Sequence, residues 1–97
     1  MATETGQAAP STVHVTLLTQ GHCAYCEHAK QVLDRLAGEF PLAVTETDLG
    51  SDEGKRLAVE HGVLFAPGLL LDGQGFGYGR ISERKLRRAL AARTTNH

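Results

Sequence analysis

The chain contains two cysteines, Cys23 and Cys26, and their Cys-X-X-Cys spacing and position constrain the fold more than any other feature. Residues 13–18 precede them and are apolar or β-branched at nearly every position, as in a buried strand. The residues after them carry apolar side chains three or four positions apart, which is typical of an amphipathic helix. These side chains are Ala29, Val32, Leu33, Leu36 and Phe40. The cysteines therefore lie where a strand passes into a helix.

This position gives the two cysteines different expected roles. Free N–H groups and the helix dipole create positive potential at a helix N-terminus, which favours the thiolate form of a cysteine at the cap position, here Cys23. Cys26 follows one turn later on the same face, and helix geometry places the two Cα atoms about 5 Å apart, a separation that a disulfide accepts. We therefore predict that Cys23 is the attacking nucleophile and Cys26 the resolving thiol. His22 is a candidate for tuning the pKa of Cys23, because a protonated imidazole beside the sulfur favours the thiolate.

Other roles for the two cysteines are weighed against this one. A zinc site needs about four ligands and the motif supplies two, so we predict no metal as the main role, although His22 and His28 are close in sequence. A disulfide across two residues closes almost no loop and constrains the unfolded chain little. The alternative that stays open is a non-catalytic module that holds a metal or metal cluster through Cys23 and Cys26. A third possibility is a protein-interaction domain with vestigial cysteines.

Length and composition indicate a single small domain. The 97 residues, 41% hydrophobic and 22% charged, fit one globular unit over residues 13–92, with disordered tails at 1–12 and 93–97. No apolar segment has the length of a signal peptide or a membrane span. We therefore expect a cytoplasmic monomer without membrane association. In that compartment a vicinal cysteine pair is more often catalytic than structural.

Positive charge is concentrated near the end of the chain, where five of the ten basic residues lie between Arg84 and Arg93. The favoured interpretation is the solvated face of a helix whose later cations complement the helix dipole. The alternative is a surface that steers an acidic protein partner. Because the net charge is −1 and only 5% of residues are aromatic, we predict no nucleic-acid partner.

The rest of the chain reads as alternating strands and helices that end in a hairpin. Caps and turn residues mark the boundaries: Gly38 ends the first helix, Ser51 begins the second, Asp72-Gly73 forms a hairpin turn and Ser82 caps the last helix. The predicted order is β-α-β-α-β-β-α, with a parallel first half of the sheet and an antiparallel second half. Glycines in residues 75–79 predict a strand with one bare face that another group approaches closely.

With these elements in order, the chain resembles the thioredoxin superfamily and, within it, the glutaredoxins. Tyr25 matches the tyrosine between the cysteines of glutaredoxins, whereas Ala24 stands where they usually have proline, and no tryptophan precedes Cys23. Pro67 aligns with the proline that the superfamily holds in the cis form opposite the cysteines. The resemblance implies an α/β, thioredoxin-like fold, a four-stranded mixed sheet flanked by helices. It also implies that the backbone of Ala66 pairs with an extended substrate.

The resemblance also implies a set of substrate-binding positions: Tyr25, Ala66, Pro67, Gln20, Gly79 and Arg80. Gln20 replaces the Lys or Arg that glutaredoxins commonly use for a glutathione carboxylate, and the residues around Gly79 and Arg80 replace their Gly-Gly segment. Losing one charge-assisted hydrogen bond weakens a ligand by about tenfold or more. The implied activity is reduction of protein disulfides or of mixed disulfides with low-molecular-weight thiols, without a tightly bound cofactor. Glutathione, another small thiol or a flavoprotein reductase would supply the electrons.

Overall fold

The computed structural model describes residues 12–95, and the helices and strands follow each other in the predicted order. Numbered along the chain, they are β1 (Val13–Thr19), α1 (Ala24–Ala37), β2 (Leu42–Asp48), α2 (Asp52–His61), β3 (Gly68–Leu71), β4 (Gln74–Tyr78) and α3 (Glu83–Thr95). Within the described residues, no helix is both long enough and apolar enough to span a membrane.

The strands form one four-stranded mixed sheet in the order β2-β1-β3-β4. Strands β1 and β2 are parallel, whereas β3 is antiparallel to both β1 and β4, as the sequence predicted. In the register, Leu18 of β1 faces Gly68 of β3, and Gly68 faces Tyr78 of β4. The segments that follow β1, precede β3 and follow β4 therefore all leave the sheet at the same end.

The main core lies between the sheet and helices α1 and α3. The predicted apolar stripe of α1 is buried there, with Phe40 partly buried at its margin. Alternate residues of β1 point into the same core, which explains its buried odd-numbered positions. The central buried side chains are Val13, Val15, Leu17, Val32, Leu36, Leu69, Leu71, Leu86 and Leu90. Because both helices pack on the sheet, the N-termini of α1 and α3 have fixed positions at the end of the sheet where β1 and β4 finish.

Helix α2 begins in close contact with the end of β2, through Gly54. The Ser51 hydroxyl caps the helix by accepting the N–H of Gly54 at 3.0 Å. A Cβ atom at Gly54 would collide with the backbone of Asp48 and Leu49, so this position has no room for a side chain. On β4, the His61 side chain at the end of α2 lies 3.5 Å from where a Cβ of Gly75 would be, an ordinary contact distance, and no atom lies within 4 Å of such a Cβ at Gly77. The close approach predicted for a bare face of this strand is therefore not seen at these two glycines.

One predicted boundary is wrong. The sequence analysis placed the start of a disordered tail at residue 93, but α3 continues as a helix to Thr95. The Arg93 guanidinium lies 3.1 Å from an Asp72 carboxylate oxygen and donates to the Gln74 side-chain oxygen at 2.9 Å. These contacts join the end of α3 to the β3–β4 turn and keep the last turn ordered. The predicted disorder at residues 1–11 and 96–97 lies outside the described residues, and Thr12 is exposed before β1.

Candidate active site

Cys23 and Cys26 form a disulfide at the N-terminus of α1. Their Cα atoms are 5.1 Å apart, which agrees with the separation expected from helix geometry. Cys23 is the N-cap residue with extended backbone, and its sulfur accepts a hydrogen bond from the Cys26 N–H at 3.1 Å. Cys23 is half-buried, whereas Cys26 is only 1% exposed. Of the two, Cys23 is therefore the cysteine that a substrate can reach.

A short turn after β1 positions Cys23. It includes His22, whose φ of 53° lies in the left-handed region and reverses the chain direction before the helix begins. The His22 side chain is exposed beside Cys23, and its predicted role in tuning that cysteine stays a prediction. Gln20 is exposed in the same turn, and Tyr25 lies between the cysteines on the first turn of α1.

The Ala66–Pro67 peptide bond is cis, which confirms the predicted isomer. Both residues are buried. The Pro67 carbonyl accepts the backbone N–H of Gly79 at 2.7 Å, so the segment before β3 is held directly by the segment after β4. The strand register places this bond at the end of the sheet from which the cysteine segment leaves.

Sequence reasoning missed Leu64 and Phe65, which directly precede this bond in the chain, and Tyr78, which packs against Phe65. Phe65 and Tyr78 pack edge to face, with their ring centroids 5.0 Å apart. Phe65 remains 54% exposed, Leu64 is 76% exposed and Tyr25 is 50% exposed, which is unusual for such large apolar groups. The signal available in the sequence was adjacency, because Leu64 and Phe65 directly precede the Ala66-Pro67 pair. We call Tyr25, Leu64, Phe65 and Tyr78 the apolar rim.

Gly79 has a structural task that differs from the ligand contact implied by the resemblance. Its φ of 77° is left-handed, and a Cβ there would lie 2.8 Å from a ring carbon of Phe65. Because Gly79 has no side chain, the Phe65 ring of the apolar rim can pack directly against its backbone. Arg80 follows it, is exposed, and lines a cavity of about 370 Å³ with His28, Ile81, Ser82 and Glu83. The Nδ1 atom of His28 is buried and has no hydrogen-bond partner there.

The described residues offer no cluster of three or more His, Cys, Asp or Glu side chains placed to hold a metal ion. His22 precedes the two cysteines in sequence and His28 follows them. The four side chains do not form such a cluster in the described part of the chain. The structure shows a disulfide at a helix N-terminus, at the same end of the sheet as a cis-proline and exposed apolar side chains. These features define a thiol-disulfide oxidoreductase with a redox-active Cys-X-X-Cys pair.

Comparison with known proteins agrees with this class. No family model matches the chain. A thioredoxin of Methanocaldococcus jannaschii is 29% identical over 83 residues, which are 86% of this chain and 98% of that protein. The solved structure of a point mutant of the thioredoxin from Halobacterium salinarum NRC-1 matches with a TM-score of 0.67 and 27% identity, covering 88% of this chain and 77% of that one.

Two further solved structures are similar. Reduced desulfothioredoxin from Desulfovibrio vulgaris Hildenborough matches with a TM-score of 0.60 and 27% identity over 95% of this chain and 92% of that one. Glutaredoxin 1 from Francisella tularensis, complexed with cacodylate, matches with a TM-score of 0.50 and 21% identity over 79% of this chain and 93% of that one, a likeness in fold. The chain is a member of the thioredoxin superfamily and has the thioredoxin-like fold predicted from its sequence.

Proposed function

We propose that the protein is a dithiol oxidoreductase that reduces disulfides in proteins, with Cys23 as the nucleophile and Cys26 as the resolving thiol. The observation that carries the proposal is the unequal accessibility of the two cysteines. Cys23 is half-buried at the helix N-terminus, whereas Cys26 is 1% exposed beneath it. A substrate sulfur can approach Cys23 from solvent, whereas Cys26 is buried and can react only with the sulfur of Cys23.

The reaction begins with the reduced dithiol. The Cys23 thiolate attacks one sulfur of the substrate disulfide, forms a mixed disulfide and releases the other substrate sulfur as a thiolate. Cys26, after losing its proton, attacks the Cys23 sulfur and releases the second substrate thiolate, so that two electrons pass to the substrate. The N–H of Cys26, 3.1 Å from the Cys23 sulfur, stabilises negative charge on that sulfur together with the helix N-terminus.

A protein disulfide is the substrate class that the surroundings of Cys23 favour. The apolar rim offers exposed aromatic and aliphatic side chains that fit a polypeptide better than a small charged thiol. The backbone before the cis-proline, at Ala66, is the candidate site for pairing with an extended substrate. Gln20 supplies no positive charge for a glutathione carboxylate.

Reduction of mixed disulfides with glutathione or another low-molecular-weight thiol is the second candidate. Tyr25 favours it because it matches the tyrosine between the cysteines of glutaredoxins, and the exposed Arg80 offers a positive charge for a carboxylate of such a thiol. In either case an external small thiol or a flavoprotein reductase restores the dithiol, and no tightly bound cofactor takes part. We propose that the protein acts in this way as a monomer in the cytoplasm.

The test compares wild type, Cys23→Ser and Cys26→Ser on two substrates, a protein disulfide and a glutathione mixed disulfide. Cys23→Ser is expected to lose both activities. Cys26→Ser is expected to lose turnover of the protein disulfide and to accumulate a covalent complex through Cys23, detected by mass spectrometry. Retained reduction of only the mixed disulfide in Cys26→Ser would support the glutaredoxin-like route. Full activity of Cys23→Ser would reject the assigned roles.

A further inference from the structure

The basic residues near the end of the chain fall into two groups in the structure. Arg87 forms ion pairs with Glu39 at 2.8 Å and Glu83 at 3.5 Å, and Arg93 pairs with Asp72. These two cations join α3 to its neighbours. A second group forms no ion pair with any described residue: Arg80, Arg84, Lys85 and Arg88. We call these four residues the basic surface.

Helix stability does not explain the basic surface. Arg84 and Lys85 lie in the first turn of α3, where the helix dipole favours anions and disfavours cations. Arg84 and Arg88 are four residues apart and Lys85 and Arg88 three apart, so these like charges are neighbours on the helix and repel each other. All three side chains are exposed. The favoured interpretation therefore applies in two parts: Arg93, in the last turn, complements the helix dipole, and the other three cations lie on the solvated face.

A groove connects part of the basic surface with the apolar rim. It has a volume of about 250 Å³ and is lined by Phe76, Gly77, Tyr78, Arg80, Ile81, Ser82 and Lys85. Tyr78 packs against Phe65 of the apolar rim, and Phe65 precedes the Ala66–Pro67 cis bond by one residue. A polypeptide that contacts Phe65 and Tyr78 of the apolar rim can therefore also reach Arg80 and Lys85 along the groove.

We propose that the basic surface docks an acidic segment of the disulfide-bearing partner protein. Arginine guanidinium groups bind carboxylates through paired hydrogen bonds, and four cations that form no ion pair with a described residue suit a run of Asp and Glu. The partner is a protein because the groove includes aromatic side chains and lies at the end of the sheet that carries the disulfide. The chain has a net charge of −1, so the cations form a local field beside the active site. This inference names the substrate class and rests on the proposed function.

The test uses two synthetic peptides with the same intramolecular disulfide. One carries a run of Asp and Glu beside it, and the other carries Ser and Gln at the same positions. Pre-reduced protein is mixed with each peptide, and the second-order rate constant is measured at low and at high ionic strength. The variants are the triple variant Arg84→Gln/Lys85→Gln/Arg88→Gln and a matched pair of single variants. Lys85→Gln removes a cation of the basic surface, and Lys55→Gln removes an exposed lysine of α2.

Wild type is expected to reduce the acidic peptide about tenfold faster than the neutral one at low salt, a preference that high salt removes. The triple variant is expected to lose this preference, Lys85→Gln to lose part of it and Lys55→Gln to keep it. An unchanged preference in the triple variant, or none in wild type, would overturn the inference.

Failure of the proposed function gives a different result. If wild type reduced neither peptide, the oxidoreductase proposal would fail, and the docking surface would then be tested by binding alone. For this, the peptide cysteines are replaced by serine and binding is followed by fluorescence anisotropy. Binding of the acidic peptide that weakens in the triple variant and not in Lys55→Gln supports the surface. Binding of a single-stranded oligonucleotide in preference to the acidic peptide would refute an acidic protein as the partner.

Discussion

At the scale of single residues, Gly79 contacts two separate segments of the candidate site. Its N–H donates to the Pro67 carbonyl, its left-handed backbone turns the chain after β4, and its missing side chain leaves room for Phe65. Each of these tasks acts on a different segment. One glycine therefore sets the position of the cis-proline segment and of the apolar rim together.

Gly79→Ala is expected to lower the free energy of unfolding by about 1–3 kcal/mol, because the left-handed backbone disfavours a Cβ and the added methyl displaces Phe65. It is also expected to slow reduction of a protein disulfide more than that of a small aromatic disulfide. Gly73→Ala is the matched control, since Gly73 has a φ of 80° but open space around it and lies in the β3–β4 turn. Equal losses of activity in the two variants would contradict a role of Gly79 in the site.

At the scale of elements, ion pairs join α1 and the segment after it to α3. Arg35 of α1 donates to Glu83 at 2.7 Å, and Arg87 of α3 donates to Glu39 at 2.8 Å. The hydrogen bond from Arg35 is the largest cause that lowers the pKa of Glu83, and the hydrogen bond from Arg87 does the same for Glu39. Both pairs are exposed, so salt screens them.

These lowered pKa values make the stability of the helix pair sensitive to acid. A carboxylate whose folded pKa lies below its unfolded value stabilises the folded state above the unfolded pKa, near 4.5. The contribution is lost as the pH falls from about 5 through the lower folded pKa. Glu83→Gln is therefore expected to flatten the pH dependence of urea unfolding below about pH 5. Asp34→Asn, on the exposed side of α1, serves as the control, and a variant curve parallel to that of wild type would exclude the pairing.

At the scale of the whole molecule, the parts predicted from sequence were those that local pattern determines. Periodicity located α1, turn residues located the hairpin, and the Cys-X-X-Cys spacing at a strand-helix junction located the disulfide. The cis bond at Pro67 came from the family resemblance.

The features that sequence reasoning missed depend on contacts between distant parts of the chain. Phe65 and Tyr78 of the apolar rim pack together because the β3–β4 register brings their segments together. The last turn of α3 is held by Arg93 on Asp72, 21 residues away. Gly54 is a local exception: the backbone of Asp48, six residues earlier, leaves no room there for a side chain.

The contacts of the β3–β4 turn and the disulfide lie at opposite ends of the sheet, about 20 Å apart along β1. Asp72 lies at the end away from the disulfide, in the β3–β4 turn, and joins two further elements. One carboxylate oxygen accepts the N–H of His14 in β1 at 2.9 Å, and the other contacts Arg93 of α3 at 3.1 Å. Its φ of 50° is also left-handed, a conformation that Asp and Asn tolerate better than Ala.

Asp72→Ala is expected to lower the free energy of unfolding by about 1–3 kcal/mol, because it removes both contacts and leaves Ala in a left-handed conformation. Asp72→Asn keeps an oxygen for the His14 N–H and tolerates the backbone, so its loss should be smaller. Urea unfolding measures both. Under native conditions each variant should reduce a protein disulfide at the wild-type rate, since the turn and Cys23 lie at different sheet ends. A rate that fell in step with stability across the two variants would show that the ends are coupled.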